Sequence, residues 1–245
     1  MKLIGFLSVY NEVEKKNLKR CLESLSRYCD EIVIYDDAST DDSVKVAQEY
    51  TNLIIEGETN EWGKEAEHRQ QLLELALTRN PDWIFWMDAD EVIEKRGEEG
   101  GIRQLCKTQE FDSYSFHEVN LWRTPSFYRI DSSYNDGIFC RLWKNNGTLK
   151  ILNKPGLHQR LVPYTLKKES ISTIQVLHHG FSSDDRIIDK YLTYKKHGQN
   201  GWALDRLIDE RTLIVNPSRQ EWFREPLLDV SKNEIYKIPL RTKLV

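Results

Sequence analysis

Three acids fall within four residues at Asp88-Ala89-Asp90-Glu91, directly after the apolar run Trp83-Ile84-Phe85-Trp86-Met87. Carboxylates this close repel one another, so a folded chain keeps them either for a cation or at a solvated strand-to-loop turn. In an extended D-x-D stretch the two aspartates point the same way, because strand side chains alternate with a period of two. Two further polar segments also follow apolar runs: Ser8-Val9-Tyr10-Asn11-Glu12 and Asp36-Asp37-Ala38-Ser39-Thr40-Asp41. A hydroxyl, an aromatic ring and a carboxylate from these could together read a nucleoside. The later acids could hold a divalent cation on its phosphates, since Mg²⁺ and Mn²⁺ are bound by one or two carboxylates plus phosphate oxygens.

For these segments to meet, they must end neighbouring parallel strands, whose shared direction brings their C-terminal ends to one edge of a sheet. The apolar pattern provides such strands. Residues 3–9, 32–35, 53–55 and 83–87 read as short buried strands. Helical patterns lie between them. One carries Leu18, Cys21, Leu22, Leu25 and Tyr28 on one face, a second carries Val44, Ala47 and Tyr50, and a third runs from Lys64 to Asn80. This β-α-β-α-β-α-β order predicts an α/β fold, a largely parallel sheet with helices on both faces. The second half is less regular, with strands expected around Tyr114, Phe116 and Leu121, over 139–143 and over 171–179, then a helix from Ser183-Asp184. One mixed domain with a C-terminal extension is the simplest division.

The 245 residues are 39% apolar and 30% charged, which suits a soluble globular protein. A formal charge of −4 gives no electrostatic reason to expect a nucleic-acid partner. Cys21, Cys29, Cys106 and Cys140 are widely spaced and read as small buried hydrophobes in a reducing compartment. No segment reaches the length of a membrane span, and the apolar N-terminus is too short for a signal peptide, so the expected location is the cytoplasm. A dinucleotide-binding dehydrogenase needs G-x-G-x-x-G after its first strand, where this chain has Tyr10-Asn11-Glu12. A P-loop is absent as well.

In their order and spacing, the segments at 8–12 and 36–41, Arg69 in the long helix, and 83–91 with its D-x-D resemble the inverting glycosyltransferases of family 2. The fold implied is GT-A, the Rossmann-like fold of nucleotide-diphosphosugar transferases, and the nearest branch is that of the lipopolysaccharide-core glucosyltransferases. The resemblance covers about residues 1–200, with a nucleotide-sugar-binding half over 1–95, an acceptor-side half over 96–200, and the extension over 201–245. It implies that Ser8, Tyr10 and Asp37 contact the nucleobase and ribose, with Asp36 structural. Arg69 would pair with phosphate, its other reading being a solvated helix arginine. Asp88 would reach the donor ribose or sugar, and Asp90 would be the principal metal ligand. Glu91 either contacts the donor or merely ends the strand. In His178-His179-Gly180-Phe181, His178 is the implied second metal ligand, in preference to His179. The implied cofactor is Mn²⁺ or Mg²⁺, the donor a nucleoside-diphosphate sugar, foremost a UDP-sugar, and the acceptor a saccharide, a lipid-linked sugar or a protein. Where this chain reads Gly156-Leu157-His158-Gln159, similar chains often carry His-Glu, so Gln159 departs from the pattern and removes a possible carboxylate.

Transfer with inversion needs one general base on the acceptor side. Asp136 is the first choice, although Asn135-Asp136-Gly137 also suits a plain turn; Glu118 and Asp131 are the alternatives. Trp122, Phe127, Tyr128, Tyr134 and Trp143 could form a stacking platform for an acceptor sugar, or could be core. The stretch with Trp222, Phe223, Leu227 and Leu228 could pack on the core, touch a membrane surface or join a partner subunit. The competing functions are a nucleotide-sugar-binding module without catalysis and a sugar nucleotidyltransferase. The second should begin with a glycine- and arginine-rich phosphate loop, which this N-terminus lacks.

Overall fold

Alternation along the first strand decides where the helices go. In β1 (Leu3–Val9), Leu3, Leu7 and Val9 face one layer and Ile4 and Phe6 the other. The computed structural model, which describes residues 1–130, 137–151, 161–196, 198, 204, 207–208 and 215–217, covers both faces. On the first lie α1 (Asn17–Leu25) and α2 (Ser43–Gln48), burying Leu18, Cys21, Leu22, Leu25 and Ala47. On the second lies α3 (Glu65–Thr78), burying Ala66, Leu72, Leu73 and Ala76. Fully burying one large aliphatic side chain stabilises by about 1.5–3 kcal/mol, so two such layers are the main source of stability in this half.

The strands β2 (Glu31–Asp36), β3 (Ile54–Glu56) and β4 (Trp83–Asp88) join β1 in the parallel order β3-β2-β1-β4. Ser8 is in register with Tyr35 on one side and Asp88 on the other, so the polar ends of the strands lie level on one edge. The expected α/β fold is therefore present, with strands and helices close to the expected limits. Tyr28 lies beyond the end of α1 yet is buried in the same core.

The second half closes the sheet differently. A three-residue β5 (Glu91–Ile93), not expected from the sequence, leaves the acidic turn. After α4 (Ile102–Lys107) come β6 (Ser113–Trp122), β7 (Phe127–Arg129), β8 (Ile138–Lys144) and β9 (Glu169–Phe181). β8 runs antiparallel to both β4 and β6, while β9 lies parallel to β6 and antiparallel to β5. Then α5 (Asp184–Lys196) and β10 (Val215–Pro217) follow, β10 pairing with β7. Glu91 is in register with His178 and Asn120 with His178, which brings the far histidine back to the acidic turn.

The aromatic platform is corrected by burial: Trp122, Tyr128 and Trp143 are core residues. Period-two alternation turned their rings inward, and aromatic content alone could not tell the two faces apart. Tyr134, Asp131, Asp136, His158, Gln159 and the stretch with Trp222, Phe223, Leu227 and Leu228 lie outside the described residues. Among the described residues no helix is long and apolar enough to cross a membrane.

Candidate active site

At the level strand edge a cleft of about 380 Å³ opens, lined by Ser8, Tyr10, Tyr35, Asp37, His68 and Asp88 among others. Its floor is held by hydrogen bonds within and between the loops that follow β1, β2 and β3. Asn11, in the left-handed region at φ 50, accepts the Thr40 backbone N–H at 2.7 Å and donates its own N–H to Ser39 Oγ at 2.9 Å. Asp36, buried, accepts the Ser39 N–H at 2.9 Å and so fixes the loop, the structural role expected of it. Asp37 donates its backbone N–H to the Val9 carbonyl at 2.9 Å, and its carboxylate accepts from Asn60 at 2.7 Å and from the Glu61 N–H at 3.2 Å. Burial pushes the Asp37 carboxyl up from its ordinary value, against the opposing Glu61 bond and the nearby His68. His68 stacks on Tyr35 with ring centroids 4.3 Å apart, and its Nδ1 lies 3.6 Å from Asp37 Oδ1. Tyr10 is 36% exposed and its ring is open to the cleft.

Asp88 and Asp90 form a wall shared with a second cleft of about 930 Å³, lined further by Glu118, Phe139, Arg141 and Ile138. Asp88 accepts a hydrogen bond from Trp86 Nε1 at 3.2 Å. Two guanidinium groups press on that same indole, Arg69 with Cζ 3.6 Å from the ring centroid and Arg141 with Cζ 4.5 Å from it. Arg69 Nη2 lies 3.6 Å from Asp88 Oδ1 and 2.8 Å from Glu65, and Arg141 Nη1 lies 3.9 Å from Asp88 Oδ2. Arg69 is thus buried and lines the second cleft, not the first, and it is not a solvated helix arginine.

Behind this wall Arg141 Nη2 binds Glu91 at 2.5 Å and Glu118 at 3.0 Å. Burial pushes the Glu91 carboxyl well up, Arg141 opposing it. Glu118 is also desolvated, but His178, Arg141 and a hydrogen bond with Glu91 outweigh burial and hold its carboxyl down. Glu91 also accepts the Asp88 backbone N–H at 2.8 Å, so it braces the turn.

Asp90 Oδ2 and His178 Nε2 are 3.1 Å apart. That is close to the separation of neighbouring ligands on one octahedral ion with bonds of about 2.1 Å, roughly 3 Å. His178 Nδ1 lies 2.7 Å from Asn120 Oδ1, an acceptor, and this contact turns Nε2 toward Asp90. A carboxylate and a neutral imidazole suit Mn²⁺ or Mg²⁺, whose other positions are filled by phosphate oxygens and water. Among the described residues no third His, Cys, Asp or Glu joins the pair. Lys190 Nζ does, 3.0 Å from Asp90 and 3.1 Å from His178. Burial would raise the Asp90 carboxyl, but Lys190 and His178 overcome it and hold it well below the usual range. His179 takes the opposite strand face; burial first, then Arg20, brings its imidazole down to about 3. Its backbone N–H donates to the Asp90 carbonyl at 2.7 Å, so its part is to fix the turn.

Ser8, Tyr10, Asp37, Asp88, Asp90 and His178 are therefore brought together, with Arg69 on the far side of Asp88. Sequence reasoning missed His68, Trp86, Arg141 and Lys190. Two of them left a signal. Arg141 is a charge inside the apolar run Phe139-Cys140-Arg141-Leu142-Trp143. Lys190 sits three residues after Ile187 and four before Tyr194, on the inward stripe of its helix.

The family described as Glycosyl transferase family 2 matches residues 6–145. The chain belongs to that family. This family 2 chain is 27% identical, over 185 residues, to the SPbeta prophage-derived glycosyltransferase SunS of Bacillus subtilis (strain 168). The match takes in 74% of this chain but 40% of SunS, so the chain spans well under half the length of that relative. Among solved structures, S. aureus TarS 1-349 superposes with a TM-score of 0.52 at 14% identity, covering 85% of this chain and 69% of TarS. The same TarS fragment in complex with UDP-GlcNAc gives a TM-score of 0.50 at 14% identity, covering 86% of this chain and 71% of that one. At such identity the likeness to TarS is one of fold.

Proposed function

We propose that this chain transfers a sugar from a nucleoside-diphosphate sugar in the first cleft to an acceptor hydroxyl in the second. The observation that carries this is the shared wall: Asp88 and Asp90 line both clefts, so the sugar end of a donor lying along the first would face the second. The UDP-GlcNAc complex of the fold neighbour TarS favours a UDP-sugar as the donor. Ser8, Tyr10 and Asp37 contact base and ribose, Asp88 contacts the donor ribose or sugar, and Arg69 supplies positive charge beside Asp88. Asp90 and His178 would hold Mn²⁺ or Mg²⁺, and a metal bound there would stabilise the leaving diphosphate as a Lewis acid.

In transfer with inversion, the acceptor oxygen attacks the anomeric carbon. The bond from that carbon to the diphosphate breaks with its electron pair, and the acceptor proton passes to a base. We assign the base to Asp136. It adjoins Gly137, whose carbonyl accepts the Glu118 N–H at 2.8 Å beside the second cleft. Glu118 itself is a poorer base, because Arg141 and His178 hold its carboxyl in the charged form at a lowered pKa. The acceptor is a saccharide, a lipid-linked sugar or a protein.

A thermal-shift screen of UDP, GDP, dTDP and CMP, with and without Mn²⁺, tests the donor site. UDP with Mn²⁺ should raise the melting temperature most, since a ligand that binds only the native state stabilises it. If no nucleotide shifts it in either condition, the donor assignment fails. UDP-sugar hydrolysis or transfer that disappears in Asp90→Ala separates a transferase from a module that only binds.

A further inference from the structure

Where the two clefts join, one contributor belongs to no group assigned a role above. The Lys190 ammonium touches both atoms that a metal would use, Asp90 Oδ2 at 3.0 Å and His178 Nε2 at 3.1 Å. Lys190 lines both clefts, and its Nζ lies 4.7 Å from the centroid of the Phe181 ring. The approach depends on Gly180. A Cβ at that position would come within 2.2 Å of Lys190 Nζ, 2.3 Å of His178 Nε2 and 2.6 Å of Asp90 Oδ2. The backbone is thus kept bare at the point where three polar side chains converge. From helix α5, Lys190 is aimed inward by Ile187, which is buried one turn earlier.

These contacts give each partner what it lacks. The ammonium donates to the Asp90 carboxylate and lies against the imidazole Nε2 that the Asn120 contact turns toward it. A second cation cannot share that seat at about 3 Å without strong repulsion in a partly buried site. We propose that Lys190 is the resident cation of the Asp90–His178 seat, and that a divalent ion enters only when a nucleoside diphosphate supplies negative charge to draw the ammonium away. Metal binding is then coupled to nucleotide binding through Lys190, and by linkage the coupling is reciprocal. The inference rests on the proposed reading of Asp90 and His178 as the metal ligands.

The test is Mn²⁺ binding to the 245-residue chain, followed by loss of the free-ion EPR signal, with and without UDP. Lys190→Met should bind Mn²⁺ alone about tenfold or more tighter than the unsubstituted protein, because the competing charge is gone. Its dependence on UDP should shrink accordingly, and Asp90→Asn should bind no Mn²⁺. Suppose Lys190→Met gains nothing while Asp90→Asn still removes UDP-dependent binding: Lys190 then does not hold the seat, and the metal reading survives without it. Absence of Mn²⁺ binding by the unsubstituted protein at saturating UDP sinks the metal reading, and this inference with it. Should the methionine variant not fold, Lys190→Gln must show the same gain, and an unchanged affinity there overturns the proposal.

Discussion

The proposed nucleotide edge and acceptor wall are both built from polar side chains but hold them in opposite ways. On that edge the polar groups take uncharged donors from their own loop or a neighbouring one, as Asp36 does from Ser39, Asn11 from Thr40 and Asp37 from Asn60. On the acceptor wall the partners are charged side chains from distant strands, Arg141 of β8 with Glu91 of β5 and Glu118 of β6. The first arrangement is modular, and each bond contributes its own modest share. The second is desolvated and interdependent: one buried guanidinium stands between Glu91 and Glu118, and neither carboxylate has bulk water to fall back on. The lesson is that the Asp90–His178 pair, the proposed metal seat, stands between a tolerant scaffold and a brittle one.

The strongest attempt to break this comparison is at the seat itself. Asp90→Asn keeps the shape but removes the charge, and turnover of a UDP-sugar should fall about a thousandfold, as for loss of a principal electrostatic stabiliser. Steady-state assays with the best donor decide it; a loss below tenfold would show that Asp90 is peripheral. Next comes the wall. Arg141→Met leaves Glu91 and Glu118 buried without their cation, and should cost about 3–5 kcal/mol of unfolding free energy. Asn11→Ala, on the proposed nucleotide edge, should cost only about 1–2 kcal/mol for the largely exposed bonds of its amide to Thr40 and Asp41 and a left-handed backbone position. Urea unfolding of both variants measures the contrast, and equal losses would end the distinction between scaffold and wall.

The same contrast explains what was legible in the sequence. The parallel core could be read because β1 and β4 alternate cleanly between two apolar layers, and the strand ends Ser8, Asp37 and Asp88 follow from direction alone. That Asp90 and His178 would meet is implied by the family resemblance alone, and the β5–β9 register brings them together. Arg141, Trp86 and Lys190 could not be assigned roles in advance, since their roles come from pairing between strands and a helix far apart in the chain. Nothing local distinguishes a buried arginine that braces two glutamates from an edge-strand arginine in water. The aromatic platform failed for the same reason, as Trp122 and Trp143 face the core by strand phase.

On the nucleotide side the expected effects are smaller, because no single bond dominates. Asp37→Asn should weaken UDP binding about tenfold, the loss of one charge-assisted hydrogen bond of roughly 1.5 kcal/mol, with little change in stability. Calorimetric titration of UDP checks it. A melting temperature that drops as far as in Arg141→Met would mean that Asp37 serves the fold, not the ligand.

Tyr10 sets the lower limit of the comparison. Its ring is 36% exposed at the mouth of the first cleft, with a free face toward the place proposed for the base. Stacking of a base on an exposed ring is worth about 1 kcal/mol, so Tyr10→Ala should raise the UDP dissociation constant about fivefold. Tyr10→Phe should leave it unchanged, because the stacking face is kept and the hydroxyl is not needed. The wall offers the matching control: Phe139→Ala, at the second cleft, should leave UDP affinity alone. If Phe139→Ala weakened UDP as much as Tyr10→Ala did, the nucleotide would reach across Asp88. The donor and acceptor sides would then have to be exchanged.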